Sequence, residues 1–290
     1  MVLRWLIGNY ARNLARQKIR EKVVEVARQE FAGVTKKSPA AQAEEDWTCD
    51  VALVFALGVE AGGLEDLLAD TVTVRAAGFV LRRGRLGGRS VAVVQSGLGR
   101  SAAAGATRAL VEGHRPKWVL SAGFAGGLTD DLKRFDVLMA DSLVDVSGDR
   151  LSIDLNVDPE SLAATPGVHV GPLLTVDRIV RLPSEKRELG AKHQAKAVDM
   201  ETFAVAEVCR DLQTRLLSVR IIIDAVDDEL PADLRRLVEQ KTSVRKLGAV
   251  AGAVWNRPAA VKDMLKLKED ALVATDRLAK FLASMIEQLE

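Results

Sequence analysis

Between residues 50 and 228, short apolar runs alternate with stretches in which apolar residues recur at helical spacing. This alternation is typical of βαβ units, in which a helix connects successive strands and packs on the sheet. The pattern therefore predicts an α/β fold with largely buried strands. The predicted strands span residues 51–57, 90–95, 118–121, 137–140, 168–174 and 216–223, and the predicted helices span residues 102–112 and 201–212.

Two amphipathic helices are predicted outside this alternation. Residues 259–289 have the apolar spacing of one long C-terminal helix. Residues 1–32 show similar spacing and carry seven basic against three acidic residues. A basic amphipathic helix of this kind is suited either to an anionic membrane surface or to docking on protein. Residues 33–48 are polar and indicate a linker, so the folded domain is predicted to cover residues 49–290.

Composition excludes several classes of protein. With 48% apolar residues, the 290-residue chain can bury a substantial core, which excludes disorder as its main state. Aromatic residues make up 4% and the formal net charge is +1, so we expect no nucleic-acid partner. Cys49 and Cys209 form no C-x-x-C pair and the three histidines lack ligand spacing, so neither disulfide nor metal is predicted.

The same features bear on location. The longest apolar runs fall well short of the ~20 residues that a membrane-spanning helix needs. Unpaired cysteines fit a reducing cytoplasm best. We therefore expect a cytoplasmic protein, with peripheral contact at the inner membrane face if residues 1–32 bind lipid.

Candidate chemistry lies where the predicted strands end, because ligands of open α/β sheets bind beyond the carboxyl ends of the strands. Glu60 follows the first predicted strand and Asp224 ends the last one. A glycine turn, Ser96-Gly97-Leu98-Gly99-Arg100, follows the strand at 90–95, and Asp199 and Glu201 flank Met200 at the start of a helix. The residues of a ligand site are therefore expected at these strand ends and turns.

The glycine turn also matches a dinucleotide-binding pattern, through Gly97-x-Gly99-x-x-Ala102. However, it does not follow the first strand of the fold. The next strand, at 118–121, ends in Ala122-Gly123-Phe124, which offers no acid for a ribose hydroxyl. We therefore do not expect nicotinamide chemistry, and no cofactor is predicted.

Five motifs occur in order along the chain: Val54-Phe55-Ala56-Leu57-x-x-Glu60, Ser96-Gly97-Leu98-Gly99, Ser121-Ala122-Gly123-Phe124-Ala125-Gly126-Gly127-Leu128, Val198-Asp199-Met200-Glu201 and Val219-Arg220-x-x-x-Asp224. In order and spacing they resemble the nucleoside phosphorylase superfamily. They are most similar to its hydrolytic branch, the methylthioadenosine/S-adenosylhomocysteine nucleosidases. The resemblance covers residues 50–228. It implies a three-layer αβα sandwich around a twisted mixed central sheet, with the N-terminal amphipathic helix and the long C-terminal helix added.

The tail of the chain adds a second resemblance. Residues 225–231 and the Trp255-Asn256-Arg257-Pro258 region, followed by the long final helix, look more like the hopanoid-associated branch of nucleosidases. That branch is implied to remove adenine from a lipid-linked adenosine such as adenosylhopane. The family also implies a homodimer.

The resemblance implies an N-ribosyl hydrolase that cleaves the N-glycosidic bond of an adenine nucleoside and releases adenine. Asp224 matches the family's general acid at the purine, Glu60 its general base for water, and Glu201 its acceptor for the ribose hydroxyls. Such cleavage passes through an oxocarbenium-like ribosyl, with negative charge moving into the leaving base. The substrate-binding residues implied beside Glu201 are Met200, Asp199, Ile179, Val180, Ala56, Gly97, Gly123 and Phe124.

Two positions depart from the family pattern. Ile223 stands where the family usually has Ser before the catalytic Asp, so one orienting hydrogen bond is missing. Phe124 replaces a small or polar residue and either reshapes the pocket or adds packing. Structural roles also remain open for two candidates, because Asp199 could cap a helix and Met200 could belong to the core.

Two other functions remain open. The first is phosphate-dependent purine nucleoside phosphorylase activity, for which Arg100 is the residue that could hold the anion. The loop at 57–60 is apolar and acidic, and its carboxylate would repel phosphate, so hydrolysis is favoured. The second is a non-catalytic nucleoside-binding or membrane-adaptor protein. Its support is Ile223 together with the basic N-terminal helix, while the presence of Glu60, Glu201 and Asp224 argues against it.

Overall fold

Strands and helices alternate through most of the described chain. The computed structural model describes residues 48–76, 79–155, 164–231 and 258–289. The strands are β1 (Val51–Phe55), β2 (Ala69–Ala76), β3 (Phe79–Leu86), β4 (Arg89–Gln95), β5 (Trp118–Gly127), β6 (Val137–Asp145), β7 (Arg150–Ser152), β8 (Val168–Thr175), β9 (Ala197–Asp199) and β10 (Arg215–Asp224). The helices are α1 (Gly58–Glu65), α2 (Arg100–His114), α3 (Pro183–His193), α4 (Thr202–Asp211) and α5 (Pro258–Gln288).

The strands form one mixed sheet with the order β10-β6-β8-β9-β5-β1-β4-β3-β2, and the short strand β7 pairs with β6 outside this order. β1 is parallel to β4 and β5, whereas β2, β3 and β4 are joined as antiparallel neighbours. β5 also pairs in parallel with β10, so β5, β10, β6, β8 and β9 close into a ring. The carboxyl ends of β1, β5 and β10 consequently lie at the same end of the sheet.

Helices cover both faces of the sheet around β1, because successive side chains of a strand point to opposite faces. Leu53 and Phe55 lie in one apolar cluster with Leu278 of α5. Ala52 and Val54 lie in a second cluster with Leu110 of α2. Full burial of one such Leu or Phe side chain contributes roughly 1.5–3 kcal/mol, so this double-sided packing places β1 firmly in the centre.

The mixed α/β architecture, the central mixed sheet and the long C-terminal helix agree with the sequence. Four strands were not predicted, namely β2, β3, β7 and β9. β5 is longer than the predicted strand at 118–121, because β10 pairs with it as far as Gly126. The predicted N-terminal helix at residues 1–32 and the predicted linker at 33–48 lie outside the described residues, apart from Thr48.

None of the described helices combines the length and the apolar character that crossing a membrane requires. Cys49 and Cys209 are both buried and free. Within the described residues, no group of three or more His, Cys, Asp or Glu side chains is arranged to hold a metal ion.

Candidate active site

A cavity of about 160 Å³ opens where β1, β5 and β10 end. It gathers residues that lie more than 160 positions apart in sequence, from Ala56 to Leu230. All the candidate site residues line it except Gly97 and Gly123. The lining residues are Ala56, Glu60, Leu98, Phe124, Ala125, Gly126, Val176, Arg178, Ile179, Val180, Val198, Asp199, Met200, Glu201, Ile223, Asp224 and Leu230.

Glu60 is held at the cavity wall by the start of α1. Its Oε2 accepts a hydrogen bond of 2.7 Å from the backbone N–H of Leu57, and its Oε1 accepts one of 2.9 Å from that of Phe124. Burial raises the pKa of Glu60, and the Phe124 N–H and the charge of Arg220 lower it in part. These two hydrogen bonds from backbone N–H groups leave further lone pairs on the carboxylate, and those lone pairs can accept hydrogen bonds from water.

Glu201 stands immediately before α4 and reaches across to the glycine turn. Its Oε1 accepts a hydrogen bond of 2.7 Å from the backbone N–H of Gly99, the residue before α2. Burial, followed by the neighbouring charge of Asp199, raises the pKa of Glu201 to about 7. Gly99 has φ +89°, a conformation that L side chains rarely adopt, so glycine is needed there to present this N–H.

Asp224 enters the cavity through an irregularity in β10. The pairing of β10 with β5 shifts register between Ile222 and Asp224, so both Ile223 and Asp224 line the cavity. Bulges of this kind re-aim side chains near functional sites. A Cβ on Gly126 would lie 3.0 Å from Asp224 Oδ2, which explains the glycine on the facing strand.

The Asp224 carboxyl is almost fully enclosed. Its burial raises its pKa, and the charge of Lys186 partly offsets this effect. Lys186 Nζ lies 2.5 Å from Asp224 Oδ2 in a buried ion pair. Sequence reasoning missed Lys186, because a polar segment such as 183–193 carries no sign that one of its lysines is buried.

Asp199 borders the cavity, but its carboxylate is occupied by the protein. Its Oδ1 accepts from Thr175 Oγ1 at 2.7 Å, and its Oδ2 accepts from the Thr202 N–H at 2.9 Å and from Arg220 Nη2 at 2.8 Å. The capping role considered for Asp199 is thus present in the structure. Arg220 also donates to Ser121 Oγ at 2.8 Å. A charged residue within the apolar run of β10 was the available sequence signal for this network.

Gly123 and Gly97, the two candidates that do not line the cavity, allow neighbouring groups to take their positions in its wall. An added Cβ at Gly123 would lie 2.6 Å from Arg220 Nη1 and 2.8 Å from Glu60 Oε1, so this glycine makes room for both groups. Gly97 has φ +86° and shapes the turn that presents Gly99. Gly99, which belongs to the same turn but is not one of the implied substrate-binding residues, donates the hydrogen bond to Glu201 instead.

Arg100, the residue considered for phosphate, is already paired. It forms ion pairs with Asp145 and with Asp177, and its Nη2 donates to the Thr175 carbonyl oxygen at 2.9 Å. Arg178 is the basic residue among those lining the cavity, and it pairs with Glu185. Carboxylates therefore dominate the charge of the cavity wall.

Comparison with known proteins identifies the family of this chain. The family model described as the phosphorylase superfamily matches residues 50–254. That match covers well over half of the chain, which therefore belongs to the phosphorylase superfamily.

Its relatives include 5′-methylthioadenosine/S-adenosylhomocysteine nucleosidases. The one from Haemophilus influenzae (strain PittGG) is 27% identical over 227 residues, which cover 69% of this chain and 98% of the relative. The one from Colwellia psychrerythraea is 28% identical over 218 residues, covering 64% and 88%.

Solved structures show the same fold. The Neisseria meningitidis 5′-methylthioadenosine/S-adenosylhomocysteine nucleosidase, in complex with methylthio-immucillin-A, superposes with a TM-score of 0.65 at 23% identity, covering 83% of this chain and 99% of that one. A Helicobacter pylori futalosine hydrolase mutant gives 0.64 at 20% identity, with 83% and 99% covered. Likeness at these identities concerns the fold alone.

Proposed function

We propose that this protein hydrolyses the N-glycosidic bond of an adenine nucleoside and releases adenine. The observation that carries the proposal is the convergence of Glu60, Glu201 and Asp224 on one cavity. The nucleosidase relatives, although distant, support the same reaction class.

Asp224 is the proposed general acid. As the C1′–N bond breaks, electrons move into the purine, and a proton from the Asp224 carboxyl neutralises the leaving base. Its burial supports this role, because a raised pKa favours the protonated form that a donor needs. The reaction leaves Asp224 as a carboxylate, which Lys186 faces directly.

Glu60 is the proposed general base. An ionised Glu60 accepts a proton from the attacking water while the water oxygen bonds to C1′ of the ribosyl cation. The two amide donors to Glu60 hold its carboxylate in one orientation before substrate binds. Arg220, behind Gly123, adds a positive charge that favours the ionised form.

Glu201 is the proposed acceptor for the ribose 2′ and 3′ hydroxyls. Its Oε1 is anchored by Gly99, and a carboxylate has further lone pairs for hydroxyl donors. Hydroxyl donors favour the charged carboxylate, so ribose binding is expected to lower its raised pKa.

The remaining wall suits a flat base and an apolar substituent. Met200 is proposed to lie against the sugar, and Ile179 and Val180 to pack on the purine and offer main-chain hydrogen bonds. Phe124 and Ala56 complete the apolar lining. Leu98 lines the cavity and is 37% exposed, which supports an apolar 5′ substituent at the opening.

That substituent is proposed to be a methylthio or homocysteinyl group, or a lipid. The basic helix predicted at residues 1–32 supports the lipid alternative, because it would bring the enzyme to a membrane surface. The homodimer and the domain bounds at 1–32, 33–48 and 49–290 remain proposals of the same kind.

Hydrolysis is preferred to phosphorolysis because the cavity wall is acidic and Arg100 is already paired with two carboxylates. A phosphate ion at this wall would be repelled by Glu60 and Glu201.

Adenine release from methylthioadenosine, S-adenosylhomocysteine and an adenosyl lipid, each with and without phosphate, tests the proposal. We expect free adenine and free ribosyl product without phosphate. A strict phosphate requirement with ribose-1-phosphate formation would replace hydrolysis with phosphorolysis. No adenine from any of the three under either condition would refute the proposed activity.

A further inference from the structure

Lys186 is an unusual residue for the interior of a protein. It lies on α3 and is 0% exposed, although the ammonium group of lysine is strongly hydrated in water. An ammonium group is buried at high cost unless it is paired and hydrogen-bonded. The contacts of this side chain should therefore explain why it is there.

The contacts of Lys186 all lie at the end of β10. Nζ donates to the carbonyl oxygens of Ala225 at 2.8 Å and of Asp228 at 2.7 Å, and it lies 2.5 Å from Asp224 Oδ2. Two of the three ammonium protons are therefore used in hydrogen bonds to carbonyl oxygens, and the positive charge faces the Asp224 carboxyl. Oδ2 accepts no aligned hydrogen bond from the described residues, so its contact with Nζ is electrostatic.

Other charged groups also face this carboxyl. Arg134, between β5 and β6, forms an ion pair with Asp228. The charge of Asp228 raises the pKa of Asp224, and the charge of Arg134 lowers it. Of the two cations, Lys186 lowers the pKa of Asp224 more than Arg134 does, and its Nζ contacts the carboxyl directly. Glu60 and Glu201 line the same cavity as Asp224.

We propose that Lys186 is the positioning residue of the site, which holds Asp224 by Oδ2 and stabilises the carboxylate that remains after its proton has moved to the leaving base. The inference rests on the proposed function. In that step the O–H bond of Asp224 breaks, an N–H bond forms on the purine, and the C1′–N bond electrons go to the base. Meanwhile water bonds to C1′ and gives its proton to Glu60.

The turn after β10 does not depend on Lys186 alone. Arg187 pairs with Asp227 and Asp130, and Arg181 pairs with Glu229, all with exposed partners. The Arg187–Asp227 pair joins this turn to α3, and the Arg181–Glu229 pair joins it to the segment before α3. Neither pair includes Asp224. They offer a matched control, because Arg187→Met removes a neighbouring cation from the same helix.

The test compares Lys186→Met with Arg187→Met in two measurements. The first is an NMR titration of the Asp224 side-chain carbon, which reports its protonation without turnover. The second is the pH profile of kcat and KM for adenine release. An opposite charge in contact with a carboxyl lowers its pKa by roughly 1–3 units, so Lys186→Met should raise the Asp224 midpoint by that amount.

The kinetic expectation follows from the weaker acidity. An acid must be protonated to act, so the alkaline limb of the kcat profile should move upward with the Asp224 midpoint. A weaker acid also transfers its proton less readily, so kcat below that limb should fall about 10-fold or more while KM changes little. Arg187→Met should leave both midpoint and limb unchanged. An unchanged midpoint in Lys186→Met would overturn the inference.

If Lys186→Met does not fold, the folding of the double variant Lys186→Met/Asp224→Asn is measured instead. Recovery of folding shows that the unpaired Asp224 carboxyl was the defect, and continued failure overturns the inference in favour of a purely structural Lys186. If the wild type releases no adenine, the proposed function fails, but the NMR titration still tests the pairing.

Discussion

Replacement of Gly123 by Ala places one methyl group between the two charged groups behind the cavity. The added Cβ would lie 2.8 Å from Glu60 Oε1 and 2.6 Å from Arg220 Nη1. Ordinary contacts begin at 3.4 Å, so each group must move away by several tenths of an ångström. Both are anchored, Glu60 by two backbone amides and Arg220 by Asp199, so neither can yield freely.

The magnitude follows from that crowding. Overpacking of a well-packed interior costs typically 1–3 kcal/mol, and we expect the free energy of unfolding of Gly123→Ala to fall by this amount. Displacement of a catalytic group by about 1 Å costs on the order of 10²-fold in rate. The smaller displacement here predicts a loss in kcat of about 10- to 100-fold, with less effect on KM, because Glu60 acts on water.

Gly105→Ala is the matched control. Gly105 is an exposed residue inside α2, and no described atom outside its chain neighbours and the adjoining helix backbone lies within 4 Å of its added Cβ. Alanine in an exposed helix interior is more stable than glycine by roughly 0.5–1 kcal/mol, so this variant should gain stability and keep full activity. Urea unfolding and adenine release measured on both variants complete the comparison. If Gly123→Ala matched Gly105→Ala in both assays, the placement of Glu60 and Arg220 around Gly123 would be refuted.

Three further predictions follow. Asp224→Asn keeps the shape of the side chain but removes the proton donor, so kcat for adenine release should fall by roughly 10²–10⁴-fold. Asp227→Asn, in the exposed part of the turn after β10, should keep the wild-type kcat. Equal kcat values for the two variants would contradict the acid role of Asp224. Arg220→Met leaves Asp199 buried without its cation, so urea titrations should show a free energy of unfolding lower by roughly 3–5 kcal/mol. A loss below about 0.5 kcal/mol would contradict the buried pairing of Arg220 with Asp199. Because the pKa of Glu201 rises from 4.5 to about 7 on folding, the folded chain holds this proton more tightly than the unfolded chain. Stability from this group is therefore fully present below the unfolded pKa and is lost, by roughly 3 kcal/mol, as pH rises through the folded pKa. Glu201→Gln should flatten this part of the pH–stability curve, and an unchanged slope would show that the shift belongs to another group.

Much of this architecture can be predicted from local patterns. The apolar runs of β1, β4 and β10 and the periodicity of α5 indicate those elements, because burial on a strand or helix face imposes a period on the sequence. Acidic residues at the ends of apolar runs likewise indicate Glu60 and Asp224, because parallel strands bring their carboxyl ends to one edge.

The role of an individual site residue is less predictable. Asp199 and Glu201 are two positions apart and carry the same charged group, yet Asp199 is bound by Arg220 and Thr175, whereas Glu201 keeps lone pairs toward the cavity. The same limit applies to Gly97 and Gly99, of which only the second contacts Glu201. Orientation distinguishes these neighbours, and it depends on residues far away along the chain.

Short-range periodicity and side-chain chemistry are enough to predict the α/β class, the long C-terminal helix, and the acids that follow β1 and end β10. The ring of five strands and the contact between Lys186 and Asp224 arise only when the chain folds. Strand pairing and the burial of a lysine depend on contacts between distant segments. A polar helix such as α3 has no periodic signal that marks the face on which its lysine finds a carboxylate and two carbonyl oxygens.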